Sequence, residues 1–107
     1  MTRIIIPAYN EAENLPTLVA SIDATLAGTP YHLYAVNDGS NDDTLVVLRG
    51  LAGRYPMTVL DHGANKGVAA AFRTGFTVAL TDAHDDDVVL LLEGDGTSSP
   101  TLLPDMI

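Results

Sequence analysis

Two carboxylates separated by a single glycine, Glu93 and Asp95 around Gly94, close the apolar run Val88-Val89-Leu90-Leu91-Leu92. Residues i and i+2 of an extended segment point the same way, so the pair offers two hard oxygen donors to one cation. Gly96 then lets the chain turn sharply. The same triplet also suits a solvated turn after a core strand, and the remaining polar groups have to weigh between the two. Asp38 follows another apolar run and precedes Gly39. It either shapes that turn or accepts a hydrogen bond from a ring N–H, which uracil, thymine and guanine offer and adenine lacks. Lys66 opens a helical stretch, where a cation opposes the helix dipole. It needs water or an anion, and a diphosphate would satisfy both the lysine and the helix end.

Lesser candidates surround these. Tyr9 can border a planar ring or simply cover core, and Glu11 is a carboxylate at a helix start, favoured there by the dipole. Arg73 either joins Lys66 or lies on the solvent face. His62 has no partner legible in the sequence and is assigned nothing. Asp85-Asp86-Asp87 precedes the fourth apolar run instead of following it. Five strand residues at about 3.3 Å each separate it from Asp95 by roughly 17 Å, so it reads as a solvated turn.

Four apolar runs and three helical stretches must position these groups. Ile4-Ile5-Ile6, closed by Pro7, is a short buried strand. Leu15, Leu18, Val19, Ile22 and Leu26 recur at helical spacing, with Pro16 suited to the first turn and Gly28 and Pro30 ending it. Leu33 to Val36 form a second strand, with Ser40 and Asn41 as candidate caps for the next helix and Asp42 and Asp43 suited to its first turn. Leu45, Leu48, Ala52 and Tyr55 give that helix an apolar face, Pro56 closes it, and Met57 to Leu60 make a third strand. Asn65 can cap a third helix in which Val68, Phe72, Phe76 and Leu80 repeat every four residues. Val88 to Leu92 is the fourth strand. Alternating strands and helices imply right-handed βαβ units and a parallel sheet, an α/β doubly wound fold with strand order 3-2-1-4. All the candidate groups then fall at the carboxyl edge, where open α/β sheets bind ligands.

Size and composition limit the alternatives. The 107 residues suit one small domain with no internal boundary. Five basic residues against 14 acidic ones give a formal charge of -9, a field that repels nucleic acid and anionic membrane surfaces. With no cysteine, thiolate metal sites, disulfides and a Cys nucleophile are excluded. No apolar run approaches the roughly 20 residues that span a bilayer, and a soluble, cytoplasmic chain is expected. Residues 100–107 break off as a new helix gets under way, the pattern of a domain that continues past Ile107.

Four co-linear segments carry a resemblance. Ile4-Ile5-Ile6-Pro7-Ala8-Tyr9-Asn10-Glu11, Val36-Asn37-Asp38-Gly39-Ser40-Asn41-Asp42, Asn65-Lys66-Gly67 with Ala69 and Gly75, and Leu92-Glu93-Gly94-Asp95 closely resemble family 2 glycosyltransferases of the GT-A, Rossmann-like fold. Tyr9 to Pro16 also looks like the polyprenyl-phosphate sugar synthases of that family. The resemblance implies the nucleotide-sugar-binding half of such an enzyme. Pro7, Ala8, Tyr9 and Glu11 would wall the nucleotide pocket, Asp38 would bind a uridine or guanosine base, and Lys66 would lie near the diphosphate. Glu93 and Gly94 would contact the donor, and Asp95, with Glu93, would hold Mg²⁺ or Mn²⁺. Glu93 stands where the family usually has Asp, and Asn37 replaces an Asp just before the base-binding position. The implied reaction is transfer of a sugar to a polyprenyl-phosphate or saccharide acceptor, usually with inversion. The catalytic base, the acceptor site and any membrane link would lie beyond Ile107. The competing reading is a non-catalytic nucleotide-sugar-binding or interaction module of the same fold. A nucleotidyltransferase would want a Gly- and Arg-rich loop after the first strand, which Tyr9-Asn10-Glu11 is not.

Overall fold

A computed structural model describes residues 1–82 and 88–91 of the chain. In order these form β1 (Thr2–Ala8), α1 (Leu15–Thr25), β2 (Tyr31–Asn37), α2 (Thr44–Ala52), β3 (Met57–Asp61), α3 (Val68–Asp82) and β4 (Val88–Leu91). The sheet order is β3-β2-β1-β4, and every neighbouring pair is parallel. The doubly wound arrangement read from the sequence is therefore present, with β1 and β4 adjacent.

β1 lies between β2 and β4 and is buried along its whole length, as expected of a strand covered on both faces. It begins at Thr2, earlier than the isoleucine run, because Arg3 is accommodated inside: its Nη1 donates to the Tyr34 hydroxyl at 2.6 Å. Alternation divides the strand residues between two cores. Ile4, Ile6, Leu33 and Ala35 pack with Leu15, Leu18, Val19 and Ile22 of α1 and Leu48 and Leu51 of α2. Ile5 and Tyr34 pack on the other face with Ala79, Phe72 and Val78 of α3. Handedness explains the split. The connections from β1 to β2 and from β2 to β3 advance in one direction, whereas β3 to β4 runs back past β2 and β1. A right-handed crossover must then put α3 on the opposite face.

The inward stripe of α3 differs from the one its large apolar residues suggest. Val68, Phe76 and Leu80 are 55%, 41% and 52% exposed, and Phe72 is only partly buried. Facing the sheet instead are Ala71, Gly75 and Ala79. The reason is space. A Cβ on Gly75 would sit 2.5 Å from Ile5 Cγ2 and 3.3 Å from Val36 Cγ2, so bulky strand residues demand small helix residues.

This contact yields an opposed pair of expectations. Alanine is the better helix former by roughly 0.5–1 kcal/mol, so Gly50→Ala in α2, where a Cβ meets nothing within 4 Å, should raise the melting temperature. Gly75→Ala should lower it, because overpacking costs about 1–3 kcal/mol and exceeds the same helical gain. Thermal unfolding of the two variants beside the parent checks both signs.

Candidate functional site

Two clusters meet at the carboxyl edge of the sheet. The first is centred on Asp38, which is 3% exposed and sits one residue past β2, its N–H donating to Ala8 O at 2.9 Å. Its Oδ1 accepts from Lys66 N at 2.8 Å and pairs with His62 Nδ1 at 2.9 Å. Oδ2 accepts from Gly67 N at 2.9 Å. A carboxylate can only accept, so Nδ1 carries the imidazole proton. In the neutral ring Nε2 is then an acceptor, facing the Thr74 hydroxyl on α3 at 2.8 Å. Burial pushes the Asp38 carboxyl up, but the His62, Lys66 and Gly67 hydrogen bonds together hold it below the usual aspartate value.

The start of α3 is thus anchored from another strand. Asn65 was expected to cap it, but the Lys66 and Gly67 amides donate to Asp38. An anion already occupies this end of the helix, so an incoming diphosphate would find the exposed Lys66 side chain there and not these two amides. Gly39 makes the closure sterically feasible. It has φ +70, and a Cβ there would lie 2.3 Å from Ala64 C and Asn65 N, so the loop before α3 rests directly on this backbone.

The second cluster laces the loop after β1 to the loop after β2. Asn10, at φ 52, donates its N–H to Ser40 Oγ at 3.0 Å and accepts the Asn41 N–H on Oδ1 at 2.8 Å. Glu11 N donates to the buried Thr44 Oγ1 at 2.9 Å, whose hydroxyl donates onward to Asp42 Oδ1. Asp42 also accepts the Thr44 amide at 3.0 Å, and the Thr44 hydroxyl leads the contacts that hold its carboxyl low. Ser40 and Asn41, expected as caps for α2, therefore serve this crosslink, while α2 starts at Thr44 with no side-chain cap hydrogen bond from Asp43. Glu11 itself accepts Asn14 Nδ2 at 2.7 Å. Pro7 and Ala8 are buried at the end of β1, and Tyr9, 42% exposed, is the first side chain to emerge.

Asn37 lies between the clusters. It is 4% exposed, its Nδ2 donates to Asp61 Oδ1 at 3.0 Å, and its Oδ1 has no hydrogen-bond partner among the described residues. An aspartate at this position would set a second carboxylate against Asp61. β4 delivers the chain to the same edge, Leu91 pairing with Ile5. Glu93, Gly94 and Asp95 follow and lie outside the described residues, as does the run Asp85-Asp86-Asp87. Among the described residues no group of three or more His, Asp or Glu side chains could hold a metal ion. The structure thus joins Asp38 with the Lys66 backbone, and Asn10 and Glu11 with the Ser40–Thr44 loop. Arg73 is exposed on α3. Sequence reasoning missed His62, Thr74 and Thr44, whose partners lie 12 to 33 residues away and leave no periodic signal.

Comparison with known proteins bears on this edge. The profile described as Glycosyl transferase family 2 matches residues 3–107. The chain is 35% identical, over 97% of its length, to a dolichol-phosphate mannosyltransferase of Pyrococcus furiosus, of which it covers 28%. It is 34% identical, over 92% of its length, to a polyprenol monophosphomannose synthase of Mycolicibacterium smegmatis, of which it covers 37%. Among solved structures, a mannosyltransferase from Pyrobaculum calidifontis in complex with GDP-Man and Mn²⁺ aligns with a TM-score of 0.70 at 25% identity, over 88% of this chain and 27% of the other. The chain spans about a third of its relatives' length.

Asp38 carries a pH prediction. A carboxyl whose folded pKa is depressed contributes stability above its unfolded value of about 3.9, and that contribution is lost as pH falls through the folded pKa. Asp38→Asn should cost about 1–3 kcal/mol near neutral pH by weakening the hydrogen bonds that its buried carboxylate accepts, and the deficit should shrink in strong acid. Urea unfolding of both proteins at neutral pH and at successively lower pH values reads the difference directly.

Proposed function

We propose, for a chain that belongs to glycosyl transferase family 2, that it forms the donor-binding part of an enzyme transferring a sugar from a nucleoside diphosphate. The observation that carries this reading is the convergence at one carboxyl edge, beside the β1–β4 switch point, of the Tyr9–Glu11 loop, the Asp38 cluster and Lys66. Open α/β sheets bind their ligands at such a crevice.

Each residue has a chemical task. Tyr9 would flank the base with its exposed ring, above the end of β1 formed by Pro7 and Ala8, and Glu11 would border the pocket from the start of α1. Asp38 would read the base. Oδ1 already has two donors and Oδ2 one, which leaves Oδ2 with capacity for a further ring N–H, of the kind uridine and guanosine present. Lys66 would pair with the diphosphate. Glu93 and Gly94 would contact the donor, and Asp95, with Glu93, would hold Mg²⁺ or Mn²⁺, a hard cation suited to carboxylate oxygens. Such an ion, when bound, neutralises charge on a leaving diphosphate. Asp95 is the primary ligand here, because its short side chain loses less rotamer freedom than Glu93 on being fixed. The relatives named for dolichol-phosphate and polyprenol monophosphomannose support a polyprenyl-phosphate acceptor, and the neighbour in complex with GDP-Man and Mn²⁺ supports a guanosine donor and manganese. The acceptor site, the catalytic base and any membrane association would belong to residues beyond Ile107, with the donor met in the cytoplasm. A non-catalytic module of the same fold is the second reading, favoured by Glu93 standing where the family pattern has Asp.

Thermal unfolding with Mn²⁺, with uridine or guanosine diphosphate, and with both should give a joint shift larger than either alone. A ternary complex at a hundred times its dissociation constant stabilises the fold by about 2.7 kcal/mol. Asp95→Asn should abolish the joint shift and Glu93→Gln should only reduce it. If Asp95→Asn retains it, the metal assignment fails; if no nucleotide shifts the parent at all, the donor-site reading fails.

A further inference from the structure

His62 and Thr74 belong to the Asp38 cluster, yet the donor-site reading leaves both without a task. His62 sits one residue past β3, its N–H donating to Asn37 O at 3.0 Å. Its side chain is 7% exposed, against 5% for the Asp38 side chain beside it. Three elements therefore meet in one relay: β2 leads to Asp38, β3 delivers His62 and α3 contributes Thr74. The Thr74 hydroxyl is 2.8 Å from Nε2, and Asp38 Oδ1 is 2.9 Å from Nδ1. A helical threonine can turn its hydroxyl back to the carbonyl one turn earlier. Thr77 and Thr81 of α3 do so, donating to Arg73 O and Thr77 O, whereas Thr74 reaches across to another element.

The relay fixes a tautomer. A neutral imidazole has one N–H and one bare nitrogen, so a hydroxyl that donates to Nε2 leaves the proton on Nδ1, facing Asp38. The opposite tautomer would set a bare nitrogen against a carboxylate oxygen. Burial pushes the Asp38 carboxyl up, and the His62 hydrogen bond is the largest of the contacts that bring it below the usual value.

The two states of a carboxyl read opposite base edges. Ionised, it only accepts, and so pairs with the ring N–H of uracil or guanine. Protonated, it also donates an O–H, which suits the bare ring nitrogen of adenine. We propose that His62, oriented by Thr74, is a positioning residue for nucleobase selectivity: by filling Oδ1 together with the Lys66 amide, it keeps Asp38 a pure acceptor with its spare capacity on Oδ2. This inference rests on the donor-site reading of Asp38 and adds to it the residues that set the choice of base.

The test is a selectivity measurement on the full 107-residue chain. Titration calorimetry with Mn²⁺ present gives affinities for guanosine, uridine and adenosine diphosphate. The parent should prefer the tighter of the first two over adenosine diphosphate. His62→Ala should cut that preference about tenfold, the equivalent of about 1.4 kcal/mol, and Thr74→Val should cut it by less. His62→Asn puts an amide N–H near the Nδ1 position and should restore most of the preference. His62→Gln, whose amide falls nearer Nε2, should not. A side chain that only supports the fold would weaken all three nucleotides alike, so an unchanged ratio in His62→Ala overturns the inference. Circular dichroism checks each variant, and Thr74→Val carries the same ratio test should His62→Ala not fold.

Nitrogen NMR spectra of histidine-labelled protein, at mildly alkaline pH, supply a readout without ligand. The His62 ring, identified by its absence from His62→Asn, should carry its proton on Nδ1 in the parent and show mixed tautomers in Thr74→Val. A bare Nδ1 in the parent overturns the inference while leaving the donor site standing. A parent that binds no nucleotide, or all three alike, overturns both.

Discussion

A buried carboxylate costs several kcal/mol unless its charge is met by donors, and Asp38 meets that requirement with groups from a distant part of the chain. Two of its donors are the amides just ahead of α3, and the third is the His62 ring, which reaches on to Thr74. Ionised Asp38 and a closed loop before α3 are therefore one condition. If the loop opened, the charge would be stranded. If the carboxyl were neutralised, three donors would lose an acceptor. Gly39 is part of the same constraint, since any side chain there would collide with the Ala64–Asn65 backbone and pull the loop away from its anion.

The clamp also assigns the electrostatics of the edge. Helix N-termini attract anions through their free amides, but at α3 an internal carboxylate has taken the two amides before the helix. What remains for a ligand is the Lys66 side chain, held by a backbone that cannot drift because its own N–H is engaged. On the other flank, the hydrogen-bonded sequence from Glu11 N through Thr44 to Asp42 ties the two loops that carry Tyr9, Glu11 and Asp38. Under the proposed function these groups would be fixed relative to each other before a ligand arrives, which would lower the ordering cost of binding.

Small residues set the spacing beneath this edge. α3 approaches the sheet closely enough that Gly75 leaves no room for a methyl group against Ile5, and this close seat brings Thr74, its neighbour, within reach of His62. Burying Ala71, Gly75 and Ala79 turns the larger Val68, Phe76 and Leu80 outward. The geometry of the edge and the exposed apolar stripe have the same origin.

Much of this was decided by local sequence. Strand and helix order, the parallel sheet, the 3-2-1-4 arrangement and the placement of Asp38, Lys66, Tyr9 and Glu11 at one edge follow from apolar periodicity, Gly and Pro punctuation and crossover handedness, all carried by neighbours in the chain. Family membership was legible for a related reason, since its four motifs are short contiguous runs. Three things were settled only by tertiary structure. The face of α3 that turns inward was fixed by the volume available above Ile5 and Val36, and hydrophobicity along the helix carries no information about that volume. The cap of α3 came from Asp38, 28 residues before Lys66, and not from the adjacent Asn65. His62, which shows no pattern of its own, acquired its role when β3 placed it between Asp38 and Thr74. Contacts of this kind depend on which residues the fold brings together, and a periodicity of two or of 3.6 residues does not encode them.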